Sequence, residues 1–318
     1  MSTDPDSIPV GRLAPSPTGL LHLGHARTFL LAWWHLRSRG GRVLLRIEDL
    51  DRQRSRPEYE TALFEDLEWL GLDWDGPVER QSERRLGFDE ALAKLASANL
   101  LYPCVCTRKE LESAASAPHA SDGTLAYPGT CQGRFASPQA AREESGREPA
   151  LRFRCSADEF TFVDGLHGEQ RSNPAALFGD FPVARRDGTP AYQLAVVVDD
   201  AKQGVTEVHR GDDLLSSTPC QLVLQRALGL AEPRWFHFSL VVDESGQRLA
   251  KRHDSLALRE LRERGVSAQA VVGWIAESAG LRAPEGASAS ELAPHFDLAR
   301  VPRSPVVFGP ADLAQLAS

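Results

Sequence analysis

The residues of this sequence best suited to chemistry are two histidines on either side of a glycine. His22 and His25 flank Gly24 and follow a turn-forming stretch of prolines and glycine over residues 15–19. Apolar residues at helical spacing begin near Gly24, so the histidines fall at the N-terminus of a predicted helix. Such a terminus attracts anions through its free N–H groups and its dipole, and the imidazoles could reach phosphate oxygens there. Alone, the pattern is more often an ordinary turn with polar caps.

A second motif, far downstream, changes that balance. Residues 248–252, with the sequence RLAKR, resemble the KMSKS loop of class I aminoacyl-tRNA synthetases, with arginine and alanine where that loop usually has lysine and serine. Residues 15–25 are similar to the HIGH signature of the same class, and residues 12–19 are similar to its glutamate and glutamine branch. Further motifs that resemble glutamyl-tRNA synthetases follow in the right order at residues 46–51, 198–200 and 209–214.

The predicted secondary structure fits the fold that this resemblance implies. A strand near Val10, a helix over 28–39 and a strand over Arg42–Ile47 open a doubly wound α/β domain, whose sites lie at the carboxyl ends of its strands. Helices over 57–70 and 86–100 follow. The elements predicted downstream are a buried strand over 191–198, a helix over 214–228, a strand over 235–242, a helix capped by Ser267 and a final helix over 312–316.

The expected fold class is therefore α/β, with a Rossmann-like doubly wound parallel sheet of the class I synthetase type. Residues 1–101 and 191–254 form the two halves of this nucleotide-binding domain, and the second half carries the KMSKS-like loop. Residues 102–190, rich in cysteine, alanine, serine, glycine and proline, form an inserted, zinc-bearing α+β module. Residues 255–318 form a short C-terminal helical region, with too little chain for an anticodon-binding domain.

Composition restricts the class of protein. The chain has 318 residues, 42% of them apolar and 25% charged, which is typical of a globular protein with two or three domains. No apolar run reaches the length needed to span a bilayer, and the polar N-terminus does not resemble a signal peptide, so we expect a cytoplasmic protein without membrane partners. A net charge of −8 argues against indiscriminate nucleic-acid binding. The basic run over 246–264 is either a solvated helical face or a local contact with RNA backbone.

Two arginines and a glutamate suggest a pocket for an amino acid with two carboxylates. Arg12 and Arg210 stand where strands are predicted to end, and an arginine fork can bond both oxygens of a carboxylate. Glu48 offers an acceptor for the ammonium group, and Tyr192 offers a hydroxyl. Arg12 could instead pair with Glu48, or Arg210 with the acidic residues 212 and 213. The resemblance implies that glutamate contacts Arg12, Leu13, Ala14, Pro15, Ser16, Glu48, Tyr192 and Arg210.

The resemblance also implies an ATP site. His22, Gly24 and His25 would contact the phosphates and ribose, and Lys251, if it is not simply a solvated loop residue, would place a positive charge on the phosphates. The glutamate α-carboxylate would attack the α-phosphorus to give glutamyl-adenylate and pyrophosphate, a reaction that depends on positioning and charge stabilisation. His22, His25 and Lys251 are therefore the expected catalytic residues, and Mg²⁺ is expected with ATP.

Three of the five cysteines have the spacing of a metal site. Cys104 and Cys106 are two residues apart, and Cys131 follows Tyr127 by four residues. Three thiolates leave one position of a tetrahedral Zn²⁺ site open. Tyr127 resembles the fourth ligand seen in the short glutamyl-tRNA synthetase-like family, while the long gap before it keeps His119 or a water as alternatives. Free cytosolic thiols are the alternative to any metal, and we expect a structural zinc ion.

The short stretch after the KMSKS-like loop determines the expected reaction. Only residues 253–318 follow it, whereas full glutamyl-tRNA synthetases carry a long anticodon-reading region there. The chain thus resembles the glutamyl-Q tRNA(Asp) synthetase family, which attaches glutamate to the queuosine base in the anticodon loop of tRNA(Asp). The expected partners are L-glutamate, ATP and queuosine-bearing tRNA(Asp), and we expect a monomer. The alternatives are a truncated glutamyl-tRNA ligase that charges the 3′ terminal ribose, and a non-catalytic RNA-binding paralogue.

Overall fold

The structure, a computed structural model, describes residues 8–114, 126–249 and 256–316. Its strands are β1 (Val10–Leu13), β2 (Arg42–Ile47), β3 (Glu79–Arg80), β4 (Leu101–Cys104), β5 (Ala150–Phe153), β6 (Phe160–Asp164), β7 (Gly168–Ser172), β8 (Pro182–Ala184), β9 (Glu207–Gly211), β10 (Arg234–Phe238), β11 (Val241–Val242) and β12 (Val306–Val307). Its α-helices are α1 (Leu23–Arg37), α2 (Pro57–Trp69), α3 (Arg85–Ser97), α4 (Arg108–Ala114), α5 (Pro138–Ser145), α6 (Pro174–Phe178), α7 (Tyr192–Gln203), α8 (Thr218–Leu228), α9 (Leu258–Glu263), α10 (Ala268–Ser278), α11 (Ala289–Leu292) and α12 (Pro310–Leu316). Short 3-10 helices cover Gln81–Glu83, Asp212–Ser217, Ala293–His295 and Leu298–Arg300.

Parallel strands place their carboxyl ends along one edge of the molecule. β1 and β3 pair with β2, and β9 pairs with β10, all in parallel. β1 lies beside β9: the N–H of Thr206, the residue just before β9, donates to the Val10 oxygen at 2.8 Å. The order β3-β2-β1-β9-β10 therefore changes direction between β1 and β9, which is where doubly wound folds form their binding crevice. The expected α/β fold with a parallel sheet is confirmed.

Helix α1 follows β1 and forms part of the main core. Leu30, Leu31 and Trp34 are fully buried, and the Trp34 Nε1 donates to the Ala289 oxygen at 2.9 Å. The last turn carries Arg37, whose positive charge suits the negative end of the helix dipole. The helix predicted over 28–39 is thus confirmed, with an earlier start at the histidine motif.

The strand predicted over 191–198 is wrong, since this region is helix α7. Its consecutive valines favour a strand by intrinsic preference. The helix ends at Gly204, whose φ of 68° gives the left-handed cap that commonly closes a helix. Asp199 and Asp200 are both buried and both bond to arginines on the protein interior. Both carboxylates lie beyond the predicted strand, and neighbouring residues of a helix are only about 100° apart, so helix α7 can turn both toward the interior.

Other predicted elements exist with changed boundaries. The helix predicted over 214–228 begins as the 3-10 turn Asp212–Ser217 and becomes α8 at Thr218. The strand predicted over 235–242 is divided into β10 and β11. Ser267 caps α10, as predicted, by accepting a hydrogen bond from the Ala270 N–H at 3.1 Å. The final helix is confirmed as α12.

The region predicted as an insertion contributes to two sheets. β4, β5 and β8 form an antiparallel sheet of their own. The β6–β7 hairpin instead joins the sheet of β9 and β10, with Asp164 of β6 opposite Trp235 of β10. In the part of the chain that the structure describes, we find no helix with the length and apolar character to cross a bilayer.

Candidate active site

A cavity of about 630 Å³ opens at the carboxyl ends of β1, β2 and β9 and at the start of α1. The residues predicted to contact glutamate all line it, namely Arg12, Leu13, Ala14, Pro15, Ser16, Glu48, Tyr192 and Arg210. His22, Gly24 and His25 line the same cavity. Lys251 and the alternative zinc ligand His119 lie outside the described residues. The fold therefore brings the described residues of the two predicted sites into one space.

Arg12 is buried and is held by two acceptors. Its Nε donates to Asp200 Oδ1 at 3.0 Å, and one terminal nitrogen donates to the His209 oxygen at 3.2 Å. Asp200 is 188 residues further along the chain, on α7. The main ion pair of Arg12 is therefore with Asp200 and not with Glu48, the partner that the sequence suggested.

A second buried arginine, Arg46, holds Glu48. It donates to Glu48 Oε1 at 3.1 Å and to Asp200 Oδ1 at 2.6 Å. Burial lowers the pKa of a guanidinium, but Asp200 and Glu48 raise that of Arg46 above its ordinary value. Burial raises the pKa of the Glu48 carboxyl, against the opposing effect of Arg46 and Arg12. A cationic ligand group beside Glu48 would therefore favour its charged form.

Arg210 has no carboxylate partner among the described residues. Its Nε donates to His237 Nε2 at 2.9 Å. Its terminal nitrogens donate to Gln221 Oε1 at 2.9 Å, Thr218 Oγ1 at 2.8 Å and the Leu214 oxygen at 3.2 Å. These neutral acceptors fix the guanidinium but leave its charge uncompensated. Burial lowers the pKa of Arg210, as expected for a cation in a surrounding of low polarity.

The charge of this end of the cavity is positive before any ligand binds. The guanidinium groups of Arg12, Arg46 and Arg210 are all buried, but only Arg12, which pairs with Asp200, and Arg46, which pairs with Asp200 and Glu48, have carboxylate partners among the described residues. Among the described residues, three guanidinium groups against two carboxylates leave one positive charge when both carboxylates are ionised. A buried charge without its counter-ion is destabilising by several kcal/mol, so the space is suited to a ligand with net negative charge.

Hydroxyl groups lie beside these charges. Tyr192 begins α7 and is only partly exposed, on the side that faces the cavity. Burial raises the pKa of its phenol, which therefore stays a neutral donor at ordinary pH. Ser16 is exposed to the cavity from the loop that follows β1. Both can add hydrogen bonds without adding charge.

The two histidines cap helix α1. His22 Nδ1 accepts from the Gly24 N–H at 3.1 Å, and His25 Nδ1 accepts from the His22 N–H at 3.2 Å. A neutral ring in this arrangement carries its proton on Nε2, which can donate to an anion. The ring centroids are 3.7 Å apart. A Cβ on residue 24 would lie 3.0 Å from His22 Cε1, so a side chain there would force the His22 ring to shift.

Arg248 lies at the same end of the cavity as the histidines. Its guanidinium donates to Asp213 Oδ2 at 2.7 Å, while 58% of its side chain is exposed. Exposed pairs of this kind contribute little energy and exchange easily. The Leu258 N–H donates to the Leu21 oxygen at 2.9 Å, so the chain after the KMSKS-like residues is fastened to the HIGH-like loop.

The three cysteines predicted to bind metal meet in one cluster. Their sulfur atoms lie within 4.8 Å of one another, with 3.4 Å between those of Cys106 and Cys131. The Tyr127 hydroxyl joins them, since it accepts from the Cys131 N–H at 2.7 Å and lies 3.5 Å from Cys104 Sγ. Bonds of about 2.3 Å from a tetrahedral Zn²⁺ would separate two sulfurs by about 3.8 Å. The cluster therefore fits a zinc ion.

Tyr127 is held in this cluster from two sides. The Arg152 guanidinium lies 3.7 Å from the centre of its ring. Gly179 has a φ of 63° and lies so close that a Cβ there would overlap the backbone carbonyl oxygen of Tyr127. Burial and the adjacent Cys131 thiol raise the pKa of Cys106 to about 12, a crowding of acidic groups that a divalent cation would relieve.

A second group with metal-like spacing consists of His35, Glu207 and His209. Both Glu207 oxygens are already engaged, one by Arg39 and the other by Arg39 and Arg234. His35 Nδ1 lies 2.8 Å from His209 Nε2. A carboxylate whose oxygens both accept from guanidinium groups is a poor metal ligand, so we interpret this group as a buried ion-pair network.

The contacts of the residues that hold the predicted ones were not found from the sequence, although Arg46 and Asp200 lie in two of the glutamyl-tRNA synthetase-like motifs, at 46–51 and 198–200. Asp200 and Arg46 fix the groups around Arg12, and His237 and Gln221 fix Arg210. A signal existed for Arg46 and His237, because each is a polar residue inside a run that reads as a buried strand. A polar group in such a place needs a partner. Gln221 is one of several polar positions on α8 and carried no such signal.

The sequence matches the family described as tRNA synthetases class I (E and Q), catalytic domain, over residues 10–305. It is 50% identical to a protein of Symbiobacterium thermophilum named glutamyl-Q tRNA(Asp) synthetase, a match that covers 96% of this chain and 98% of that protein. It is 42% identical to glutamate–tRNA ligase 1 of Halorhodospira halophila, where the match covers 95% of this chain but 65% of the ligase.

The fold is similar to that of a glutamate tRNA ligase from Elizabethkingia meningosepticum, crystallised in complex with its amino acid. The TM-score is 0.80 and the sequence identity 27%. The superposed region covers 96% of this chain and 68% of the ligase, so the likeness extends over almost the whole chain studied.

Proposed function

Because the chain belongs to the class I tRNA synthetases for glutamate and glutamine, in the branch of the glutamyl-Q tRNA(Asp) synthetases, we propose that it transfers glutamate to queuosine in tRNA(Asp). It is a ligase of the glutamyl-tRNA synthetase class. In the proposed reaction, ATP first activates L-glutamate to glutamyl-adenylate. A hydroxyl of the cyclopentene diol of queuosine in the anticodon loop then attacks the adenylate carbonyl carbon, which forms an ester and releases AMP.

The observation that carries this proposal is the uncompensated charge at Arg210. Glutamate brings two carboxylates and one ammonium, so its net charge of one negative matches the one positive charge of the cavity. Glutamine has no net charge and would leave a buried guanidinium without its counter-ion. Burial makes that mismatch expensive, which supports glutamate as the substrate.

Each group of the substrate has a complementary group in the cavity. Arg12 and Arg210 would bind the two carboxylates, and Glu48 would accept from the ammonium. Tyr192 and Ser16 would add hydrogen bonds through their hydroxyls. The remaining predicted contacts, Leu13, Ala14 and Pro15, form the wall that continues from β1. Since Arg46 and Asp200 already hold the charged groups in place, little reorganisation would accompany binding.

The start of α1 supports the ATP part of the proposal. The positive end of its dipole and the Nε2 donors of His22 and His25 would attract phosphate oxygens and stabilise the charge that develops at the α-phosphorus. Gly24 lets the nucleotide approach the backbone. Lys251, from the KMSKS-like run, would add its positive charge as pyrophosphate leaves. Class I synthetases use ATP with Mg²⁺, which would bind together with the ATP phosphates and neutralise part of their charge.

Two assays test the proposal. ATP–pyrophosphate exchange should depend on L-glutamate and should be at least about 100-fold weaker with L-glutamine, the factor expected for a buried charge mismatch. Labelled glutamate should then transfer to tRNA(Asp) that contains queuosine and not to the same RNA without it. Removal of the 3′ terminal nucleotide from the RNA before the reaction should leave that transfer unchanged. Transfer that requires an intact 3′ ribose would favour an ordinary glutamyl-tRNA ligase and overturn the queuosine target.

We also propose that Cys104, Cys106, Tyr127 and Cys131 hold a structural Zn²⁺ ion, with no part in the reaction. The ion would cross-link the end of β4 to the loop before α5. Purified protein should contain about one zinc per chain by elemental analysis, and Cys106→Ser should lose it together with thermal stability. Cys155→Ser, a cysteine outside the cluster, is the matched control. Equal metal content in both variants would show that the cysteine cluster does not bind the metal.

The proposed domain division follows the sequence pattern. Residues 1–101 and 191–254 form the two halves of the nucleotide-binding domain, and 102–190 is the insertion. The separate sheet of β4, β5 and β8 supports this division, and the β6–β7 hairpin connects the insertion to the main sheet. Residues 255–318 are the helical tail.

A further inference from the structure

Behind Arg210 lies a chain of buried groups that the proposed reaction does not use. His237, on β10, is fully buried, and its Nε2 accepts the hydrogen bond from Arg210 Nε at 2.9 Å. On the other side of the ring, His237 Nδ1 lies 2.7 Å from Asp164 Oδ2. Asp164 is also buried and ends β6, in the hairpin that joins the main sheet. The three side chains form a line from this hairpin to the cavity.

The hairpin turn fixes the orientation of the Asp164 carboxylate. Its Oδ1 accepts from the backbone N–H groups of Leu166 at 3.0 Å and His167 at 2.9 Å. Only Oδ2 therefore faces His237, where it accepts the Nδ1 proton. A neutral imidazole with its proton on Nδ1 has its lone pair on Nε2, as the donor Arg210 Nε requires.

The protonation states are consistent with this arrangement. Burial, as the largest effect, lowers the pKa of His237 to about 4, so the ring is neutral at ordinary pH. Burial alone would raise the pKa of Asp164, but hydrogen bonds from His237 and the turn keep it below its ordinary value. A neutral ring between an anion and a cation has one tautomer that satisfies both neighbours.

We propose that Asp164 and His237 are positioning residues for glutamate: Asp164 selects the histidine tautomer, and the histidine orients the Arg210 guanidinium. This inference rests on the proposed function, because it assigns Arg210 to a substrate carboxylate. It adds Asp164 of β6 and His237 of β10 to the residues that determine selectivity for an acidic substrate. Neither residue touches the substrate itself.

Asp164→Asn tests the tautomer directly. The turn N–H groups keep the amide oxygen at the Oδ1 position, so the amide nitrogen faces His237 and donates to Nδ1. The ring proton must then move to Nε2, where it opposes the Arg210 Nε–H. We expect the KM for glutamate to rise about 10- to 100-fold, the loss of one charge-assisted hydrogen bond, and the KM for ATP to change less than twofold. Asp158→Asn, an exposed position before β6, is the matched control.

Two histidine variants separate positioning from simple packing. His237→Gln places its amide oxygen near the position of Nε2 and can still accept from Arg210, whereas His237→Asn reaches only the position of Nδ1. We expect His237→Asn to resemble Asp164→Asn and His237→Gln to be clearly milder. Asp164→Asn should cost nothing further in the His237→Gln background, since glutamine has no tautomer to select. Equal damage from both histidine variants, or additive losses in the double variant, would overturn the proposal.

Nitrogen-15 NMR of the histidine rings makes the test independent of catalysis. The His237 signals, identified by their absence in His237→Gln, should show the proton on Nδ1 in the wild-type protein and on Nε2 in Asp164→Asn. An active wild-type protein whose Asp164→Asn variant is equally active overturns the positioning role alone. A wild-type protein without glutamate-dependent exchange overturns the proposed function. In that case the NMR result alone tests whether Asp164 selects the His237 tautomer. A proton on His237 Nε2 in the wild-type protein would refute that selection.

Discussion

At one end of the cavity the charged side chains are buried and tightly held, whereas at the other end the groups available to an anion are more loosely held. Arg12 is 4% exposed and has two acceptors, and Arg210 is fixed by four hydrogen bonds. At the start of α1 the groups that could bind an anion are the ring nitrogens of the two histidines and Arg248, whose side chain is 58% exposed.

The difference suits two different demands. A buried guanidinium without its counter-ion is costly, so the first end discriminates between ligands by charge. Exposed cations and neutral ring donors gain less from any one anion and lose less when it departs. That end is suited to binding a nucleotide and releasing pyrophosphate in each cycle. Substitutions should therefore have larger effects on glutamate than on ATP.

Arg210→Ala should give the largest effect. Removing this cation, which has no carboxylate partner in the part of the chain that the structure describes, leaves one substrate carboxylate unpaired. We therefore expect glutamate-dependent pyrophosphate exchange to fall about 1,000-fold, the loss of one buried charge pair. Arg226→Ala, an exposed arginine on α8, is the matched control. Exchange within threefold of wild type in Arg210→Ala would show that the two ends do not differ as described.

Arg12→Ala should reduce the same exchange about 100-fold. The effect is smaller because Asp200 retains Arg46 as a partner, so the substitution leaves no carboxylate of the protein unpaired. The midpoint of thermal unfolding should fall by a few degrees, since two buried hydrogen bonds are lost. Unchanged activation would remove Arg12 from the pocket.

Gly24→Ala tests the other end. The added Cβ would press on the His22 ring, and we expect the KM for ATP to rise about 10-fold, the loss of one hydrogen bond to a charged group, with the KM for glutamate little changed. Gly273→Ala is the matched control, because a Cβ on that helical glycine meets no atom within 4 Å. A larger effect on glutamate than on ATP would contradict the division of the cavity.

Arg248→Ala should give the smallest effect. Its exposed pair with Asp213 contributes about 1 kcal/mol or less, so we expect the KM for ATP to rise less than about fivefold and unfolding to be unchanged. The change in KM should shrink further at high ionic strength, because salt screens exposed charges. A loss as large as that of Arg12→Ala would mean that this end also depends on fixed charge.

The sequence allowed most of the first half of the fold to be predicted. Helices α1, α2 and α3 have clear apolar periodicity and end near glycine or asparagine, and β2 is a compact apolar run. Helix α7 was missed because its valines favour a strand, and a short apolar run cannot distinguish the two by periodicity. The left-handed Gly204 at its end was the available signal.

The site was predictable where residues end parallel strands. Arg12, Glu48 and Arg210 converge because the carboxyl ends of neighbouring parallel strands meet. Their partners could not be found in this way, since the Arg12–Asp200 pair joins residues 188 positions apart and depends on how α7 packs. His237 and Asp164 are likewise brought together only when β6 pairs with β10.

The histidine cap of α1 differs in one respect from the more usual serine or aspartate cap. A ring nitrogen accepts a hydrogen bond only while it is unprotonated, because an imidazolium has two donors and no acceptor. Protonating His22 or His25 would break the bond from the Gly24 or His22 N–H and add positive charge to the positive end of the helix dipole. The first turn of α1 is therefore sensitive to acid in a way that a hydroxyl cap would not be.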